Sequence, residues 1–187
     1  SMVKQESDSA FLHHGCLDVS APEPGKIYLH TTYLLNTGKL LANSDLDKGG
    51  EIQIEALKII DVQKAQISAN GKKIGGKIQV MGAERLSTSG RYIATGKEKG
   101  GKIKTRSNNL ILISPHLDAS SERINGDIQL EVAENGRYFS LSHTKLLGEV
   151  SNKKVPTETL LNGFAPVIEE ETPPHLLPVK VVKKTQP

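Results

Sequence analysis

Gly75–Gly101, GGKIQVMGAERLSTSGRYIATGKEKGG, opens and closes on one phrase: Gly75-Gly76-Lys77-Ile78 returns as Gly100-Gly101-Lys102-Ile103. Upstream the phrase stands as Gly49-Gly50-Glu51-Ile52 and, more loosely, as Pro24-Gly25-Lys26-Ile27; downstream it becomes Asn125-Gly126-Asp127-Ile128. The isoleucines Ile27, Ile52, Ile78, Ile103 and Ile128 therefore follow at intervals of 25, 26, 25 and 25 residues. A period held that closely marks a stacked repeat, in which each unit buries its apolar side only against its neighbours.

Overlaying the units gives apolar columns at alternation spacing. After the isoleucines comes a second column, Leu29, Ile54, Val80, Thr105 and Leu130, on the same side of a strand. A third is expected at Leu35, Ile60, Leu86 and Ile111, a fourth at Thr37, Val62, Thr88 and Ile113, and a fifth at Leu41, Ile67, Ile93 and Leu117. Each unit so holds short strands of period two, rich in β-branched residues and separated by Gly, Asn, Ser and Lys clusters. The pattern predicts a right-handed parallel β-helix of about 25-residue coils. A β-sandwich has no reason to keep this period, and the L-x-x-L-x-L spacing of leucine-rich repeats is missing.

Outward from the repeats the sequence changes character. Residues 1–14 are polar and unpatterned and read as a flexible lead-in, with Ser1-Met2 taken as a remnant of expression. The repeat domain is expected over 15–151. Residues 152–187, with Pro156, Pro166, Pro173, Pro174 and Pro178, read as a charged linker or tail. Tyr138 or Phe139 is expected to cover the open end of the stack, since terminal repeats are atypical. No apolar run approaches membrane-spanning length, which argues against membrane insertion.

The units GGEIQIEALKII, GGKIQVMGAERLSTSGRYIATG and GGKIKTRSNNLILIS resemble the repeats of filamentous haemagglutinin and related exoproteins exported by two-partner secretion. The likeness covers about Gly15 to Glu131. It implies a rod-like segment of a secreted or surface-bound bacterial adhesin, with an outer-membrane transporter as export partner and a host-surface glycan or protein as ligand. The family's secretion domain has no counterpart in this sequence, and the motif names an architecture rather than a ligand.

The residues favour a non-enzymatic segment over the alternative, a carbohydrate-active β-helix enzyme or a phage tailspike-like fragment. Acid–base work on glycans needs carboxylates held close together, yet the Asp and Glu residues scatter over different columns and alternate with Lys; Glu51 falls between Lys26 and Lys77. The Gly-Gly pairs lack the Gly-x-Asp of calcium β-rolls and the Gly-Lys-Ser/Thr of phosphate loops, so they are assigned to corners needing positive φ. The six histidines show no ligand spacing, and His13 and His14 should point to opposite sides of a strand. Cys16, the one cysteine, is expected to pack as a small apolar residue. No cofactor or metal is expected. A net charge of +3 and scarce aromatics do not suit a nucleic-acid partner. The one patterned surface feature is basic: Lys48, Lys73, Lys77, Lys99, Lys102, Lys104 and Arg123 cluster about the Gly corners. Stacking would make them a cationic ridge suited to a polyanion such as a sulfated glycan, unless they only keep the turns soluble.

Overall fold

The computed structural model describes residues 1–141, 143–157 and 180–184, with the backbone alone for 6–9 and 180–184. Its strands are β1 (Met2–His13), β2 (Cys16–Asp18), β3 (Lys26–Asn36), β4 (Lys39–Leu41), β5 (Glu51–Asp61), β6 (Gln66–Ser68) and β7 (Lys77–Thr88). They continue as β8 (Arg91–Ile93), β9 (Lys102–Leu112), β10 (His116–Asp118), β11 (Asp127–Ser140), β12 (Lys145–Leu147), β13 (Glu149–Val155) and β14 (Lys180–Lys184). Long and short strands sort into two sheets, ordered β13-β11-β9-β7-β5-β3-β1-β14 and β12-β10-β8-β6-β4-β2. Successive coils pair in parallel, so the protein is a parallel β-solenoid of about six turns.

Register follows the sequence columns at the head of each coil. Ile27, Ile52, Ile78, Ile103 and Ile128 are successive partners, as are Leu29, Ile54, Val80, Thr105 and Leu130, and all ten are buried. Beyond that point the expected columns are off by one in most coils. The buried partners are Leu34, Ile59, Leu86 and Leu110, whereas Leu35 and Ile60 face solvent and Ile111 is half-buried. Likewise Leu40, Ile67, Tyr92 and Leu117 are interior, not Leu41 or Ile93. The cause is a bend within each long strand. In β3 the side chains of Ile27, Leu29 and Thr31 point inward, Thr32 and Tyr33 both lie outward, and alternation resumes with Leu34 and Asn36 inside. In the pairs β1–β3, β5–β7 and β7–β9 the register slips near this bend with two residues opposite one, and in β9–β11 with residues 133–136 opposite Asn108. Each coil thus has three arms: the two halves of a long strand and the short strand after it.

The glycine corner works differently from expectation. None of Gly49, Gly50, Gly75, Gly76, Gly100 and Gly101 has positive φ. What excludes a side chain is crowding: a Cβ on Gly75 would sit 2.0 Å from the Ala94 carbonyl oxygen, and one on Gly76 would sit 2.2 Å from that of Gly50. The second glycine of each pair donates across the coil, Gly50 to Ala42 O (2.7 Å), Gly76 to Ala69 O (2.6 Å) and Gly101 to Ala94 O (2.7 Å). Ala42, Ala69, Ala94 and Ala119 are fully buried opposite these glycines, because only a methyl fits where the coil pinches shut.

Both ends depart from the expected boundaries. Residues 2–13 are not an unpatterned lead-in: β1 lies parallel to β3, with Val3 beside Ile27 and His13 beside Asn36. His13 is buried and His14 exposed, as opposite sides of a strand require. Cys16 is exposed rather than packed; the inward residue of β2 is its neighbour Leu17. At the other end β13 pairs with β11 through Val155, past the expected boundary at 152. Its Val150, Asn152 and Lys154 are in register with Ile128, Leu130 and Val132 but are exposed at the end of the stack. Lys154 Nζ reaches back to the carbonyls of Ala133 and Gly136 at 3.4 Å. Tyr138 and Phe139 stay 45 % and 55 % exposed and do not close the end. β14 pairs antiparallel with the outer edge of β1; Pro166, Pro173, Pro174 and Pro178 of the expected tail lie outside the described residues.

Candidate functional site

The basic corner is built on a ladder of small polar side chains. Asn43 Oδ1 accepts from Ser68 Oγ (2.7 Å) and Asn70 N (2.9 Å), and Asn70 Oδ1 accepts from Thr95 N (2.9 Å) and Thr95 Oγ1 (3.0 Å). Each coil's turn is so tied to the next, and backbone bridges run on through Lys48, Ile74, Lys99 and Ile124. One position earlier, Asp47, Lys73, Glu98 and Arg123 stand in the same register. Lys48, Lys73, Lys99 and Arg123 are all exposed there. Lys48 and Lys99 share a column with one isoleucine between them, two coils or about 10 Å apart.

The other predicted ridge residues separate from this group. Lys77 and Lys102 are register partners at the start of the long strands, one corner further on. Lys77 Nζ is 3.7 Å from Glu51, which also binds Lys26 at 3.0 Å, and Lys102 is 3.9 Å from Asp127. Lys73 has Asp47 at 3.9 Å. These exposed pairs contribute little stability, about 0–1 kcal/mol each, but they break the ridge into a mosaic of both signs. Lys104 lies on the outer face of the large sheet, within a tighter network. There the nearly buried Glu131 accepts from Arg106 Nε at 2.5 Å and meets Lys104 Nζ at 3.0 Å. Burial pushes the Glu131 carboxyl up, but bonds from Arg106 and Lys104 outweigh it and hold the group below its ordinary value.

A second carboxylate faces the same way. Glu55 accepts from Tyr28 Oη (3.1 Å) and Gln53 Nε2 (2.7 Å) and has His30 Nδ1 at 3.4 Å. The His30 bond above all holds it below its usual range against the opposing effect of burial. Between the two networks is a shallow depression of about 160 Å³ lined by Gln53, Glu55, Gln79, Met81, Lys104 and Arg106. Register places Glu55, Met81, Arg106 and Glu131 in succession, so the carboxylates are three strand spacings, about 14 Å, apart. Paired glycosidase carboxylates stand roughly 5 to 9.5 Å apart. Both groups here are also engaged as charged acceptors from the neighbouring coil.

Among the described residues the interior holds a buried pair of ionisable side chains, Asp61 and Tyr92, that the sequence columns did not flag. Asp61 is buried between Asn36 and Thr88 in its column, and Tyr92 Oη donates to its Oδ2. Desolvation pushes the Asp61 carboxyl up to about 6, against the smaller opposing effect of Tyr92, Asn36 and Thr88. Desolvation and the Asp61 charge raise the Tyr92 phenol likewise. Asp61 Oδ1 and Asn36 Nδ2 have no partner of normal geometry among the described residues. In sequence Asp61 is the inward neighbour of Ile60, and reading Ile60 as core hid it.

No protein-family model, curated protein or solved structure matches this chain.

Proposed function

We propose that this chain is a non-enzymatic, rod-like segment of a large exported bacterial surface protein of the filamentous haemagglutinin type. It works as a stiff spacer and touches polyanionic host glycans through its basic corner. An outer-membrane two-partner transporter would be its export partner and the cell surface or surroundings its place of action. The observation that carries this reading is the continuous backbone ladder through the corner, Lys48 to Ile74 to Lys99 to Ile124. It holds Lys48 and Lys99 about 10 Å apart in one column, with Lys73 and Arg123 in the adjacent one, a spacing that suits a repeating sulfated polymer. Against a carbohydrate-active enzyme stands the wide separation of Glu55 and Glu131, each engaged by hydrogen-bond donors.

The test is affinity for heparin across a salt series. The parent protein should bind with a steep salt dependence, since each neutralised cation releases counterions. Lys73→Glu, Lys99→Glu and Lys102→Glu together should abolish binding without altering the melt, because all three side chains are exposed. Reversing Lys153 and Lys154 in the last coil should do much less. Absence of binding at physiological salt, or equal loss in both sets, would reduce the corner to a soluble face and the chain to a spacer.

A further inference from the structure

The outward residue of the second arm forms a register column of its own. Leu12, Leu35, Ile60, Ser87, Ile111 and Phe139 are backbone partners in succession from β1 to β11. Four of these are large apolar side chains with much of their surface in water: Leu12 52 %, Leu35 38 %, Ile60 49 % and Phe139 55 %. Ile113 (43 %) and Leu141 (40 %), two residues beyond Ile111 and Phe139, widen the strip towards the last coil. Five strand spacings give it a length of about 24 Å. A single exposed leucine needs no explanation, but an uncharged column from β1 to β11 that is apolar at every position except Ser87 marks an interaction surface.

Both sides of the strip are cationic. On one side the column Tyr33, Lys58, Arg85, Asn109 and Arg137 runs through β3 to β11. On the other, across the turn, runs Lys39, Gln66, Arg91, His116 and Lys145. The carboxylates near these borders include Glu84, 3.1 Å from Lys58, Asp118, 3.5 Å from His116, the exposed Asp18 in the column of Asp118, and the exposed Glu134 at the last bend. A strip with this border fits a partner that is apolar and anionic at once over a flat area. A second copy of the chain fits poorly, because stacking two such faces sets cations against cations.

We propose that this face docks peripherally on an anionic lipid surface, with the apolar strip at the acyl boundary and the flanking Lys and Arg on the headgroups. The contact is independent of the glycan reading, because it uses the second arm rather than the glycine corner.

Co-sedimentation with vesicles tests it. The full chain should sediment with phosphatidylcholine vesicles containing phosphatidylglycerol, and not with phosphatidylcholine alone. Leu35→Thr with Ile60→Thr should weaken binding roughly tenfold, since apolar contact area is lost. Arg85→Glu with Arg137→Glu should weaken it and flatten its salt dependence. Neither pair should move the melting temperature, as these side chains are outside the core, and the corner variant Lys73→Glu, Lys99→Glu should bind vesicles like the parent. Three outcomes overturn the proposal: no sedimentation with the anionic vesicles, equal binding by the Leu35→Thr, Ile60→Thr variant, or a concentration-dependent dimer that this variant abolishes. The last would make a second copy the occupant.

Discussion

Asp61 gives the sharpest stability test, because it is a fully buried carboxyl in the interior column with Asn36 and Thr88. Its pKa rises from the ordinary 3.8 to about 6 in the folded protein. The folded state therefore holds the proton more tightly than the unfolded chain. Asp61 contributes its full stabilisation below about pH 3.8 and loses it as pH rises through about 6. The gap corresponds to about 3 kcal/mol. Glu55 and Glu131, whose pKa values are lowered, have the opposite sign: their stabilisation is present above the ordinary carboxylate value of 4.5 and lost as pH falls. Between about pH 5 and about pH 7.5 the Asp61 proton should make the acid side more stable by roughly 1.4 kcal/mol, or about 3–6 °C in Tm for a domain of this size. Thermal unfolding of wild type and Asp61→Asn over that range reads it directly. The variant keeps an acceptor for Tyr92 and cannot ionise, so its melt should lack this component. Parallel pH profiles in the two proteins would show that Asp61 is not a desolvated, titrating carboxyl and would refute the reasoning.

Three further outcomes follow from the packing. Ile78→Asp places a charge at a fully buried position and should abolish cooperative melting, with Ile78→Ala costing roughly 2–5 kcal/mol by urea titration. Gly76→Ala should destabilise as strongly as a core truncation, by more than the ~1 kcal/mol that helix-type propensity differences supply, since its Cβ would meet backbone rather than a movable side chain; an unchanged melt would show that the corner has room. Glu131→Gln should flatten the loss of stability on acidification below about pH 4.5, because the carboxylate bound by Arg106 and Lys104 is no longer there to be protonated.

How much of this was legible in the sequence depended on where alternation stayed strict. From each glycine pair to about four residues on, side chains alternate without interruption, so Ile78 and Val80 could be placed inside from spacing alone. At the bend two residues turn outward together, and there the sequence offers apolar doublets: Leu34-Leu35, Ile59-Ile60, Leu110-Ile111. Period and hydrophobicity cannot choose within a doublet, and the wrong member was taken as core. That choice hid both the exposed strip and Asp61, which lies inside only if Ile60 lies outside. The same parity error put Leu41 and Ile93 in place of Leu40 and Tyr92. The basic ridge was legible only in part: Lys48 and Lys99 share one column, Lys73 and Arg123 fall one position earlier, and Lys77, Lys102 and Lys104 lie elsewhere. Glu51 between Lys26 and Lys77 was legible from spacing. The partners Asp47 and Asp127 were not, since pairing at 3.9 Å depends on side-chain reach rather than on spacing. Cys16 was misassigned because a three-residue strand has one inward position, and Leu17 takes it.

All of these surfaces depend on the coils being in register along one axis. The most direct measurement is the distance between spin labels at positions 47 and 123 in a Cys16→Ser background, read by electron paramagnetic resonance. Both positions are exposed, and they are far apart in sequence but three coils apart on the corner. The account predicts a narrow distribution centred near 14 Å between backbone positions. A broad distribution, or a mean beyond roughly 25 Å, would contradict the stacked register.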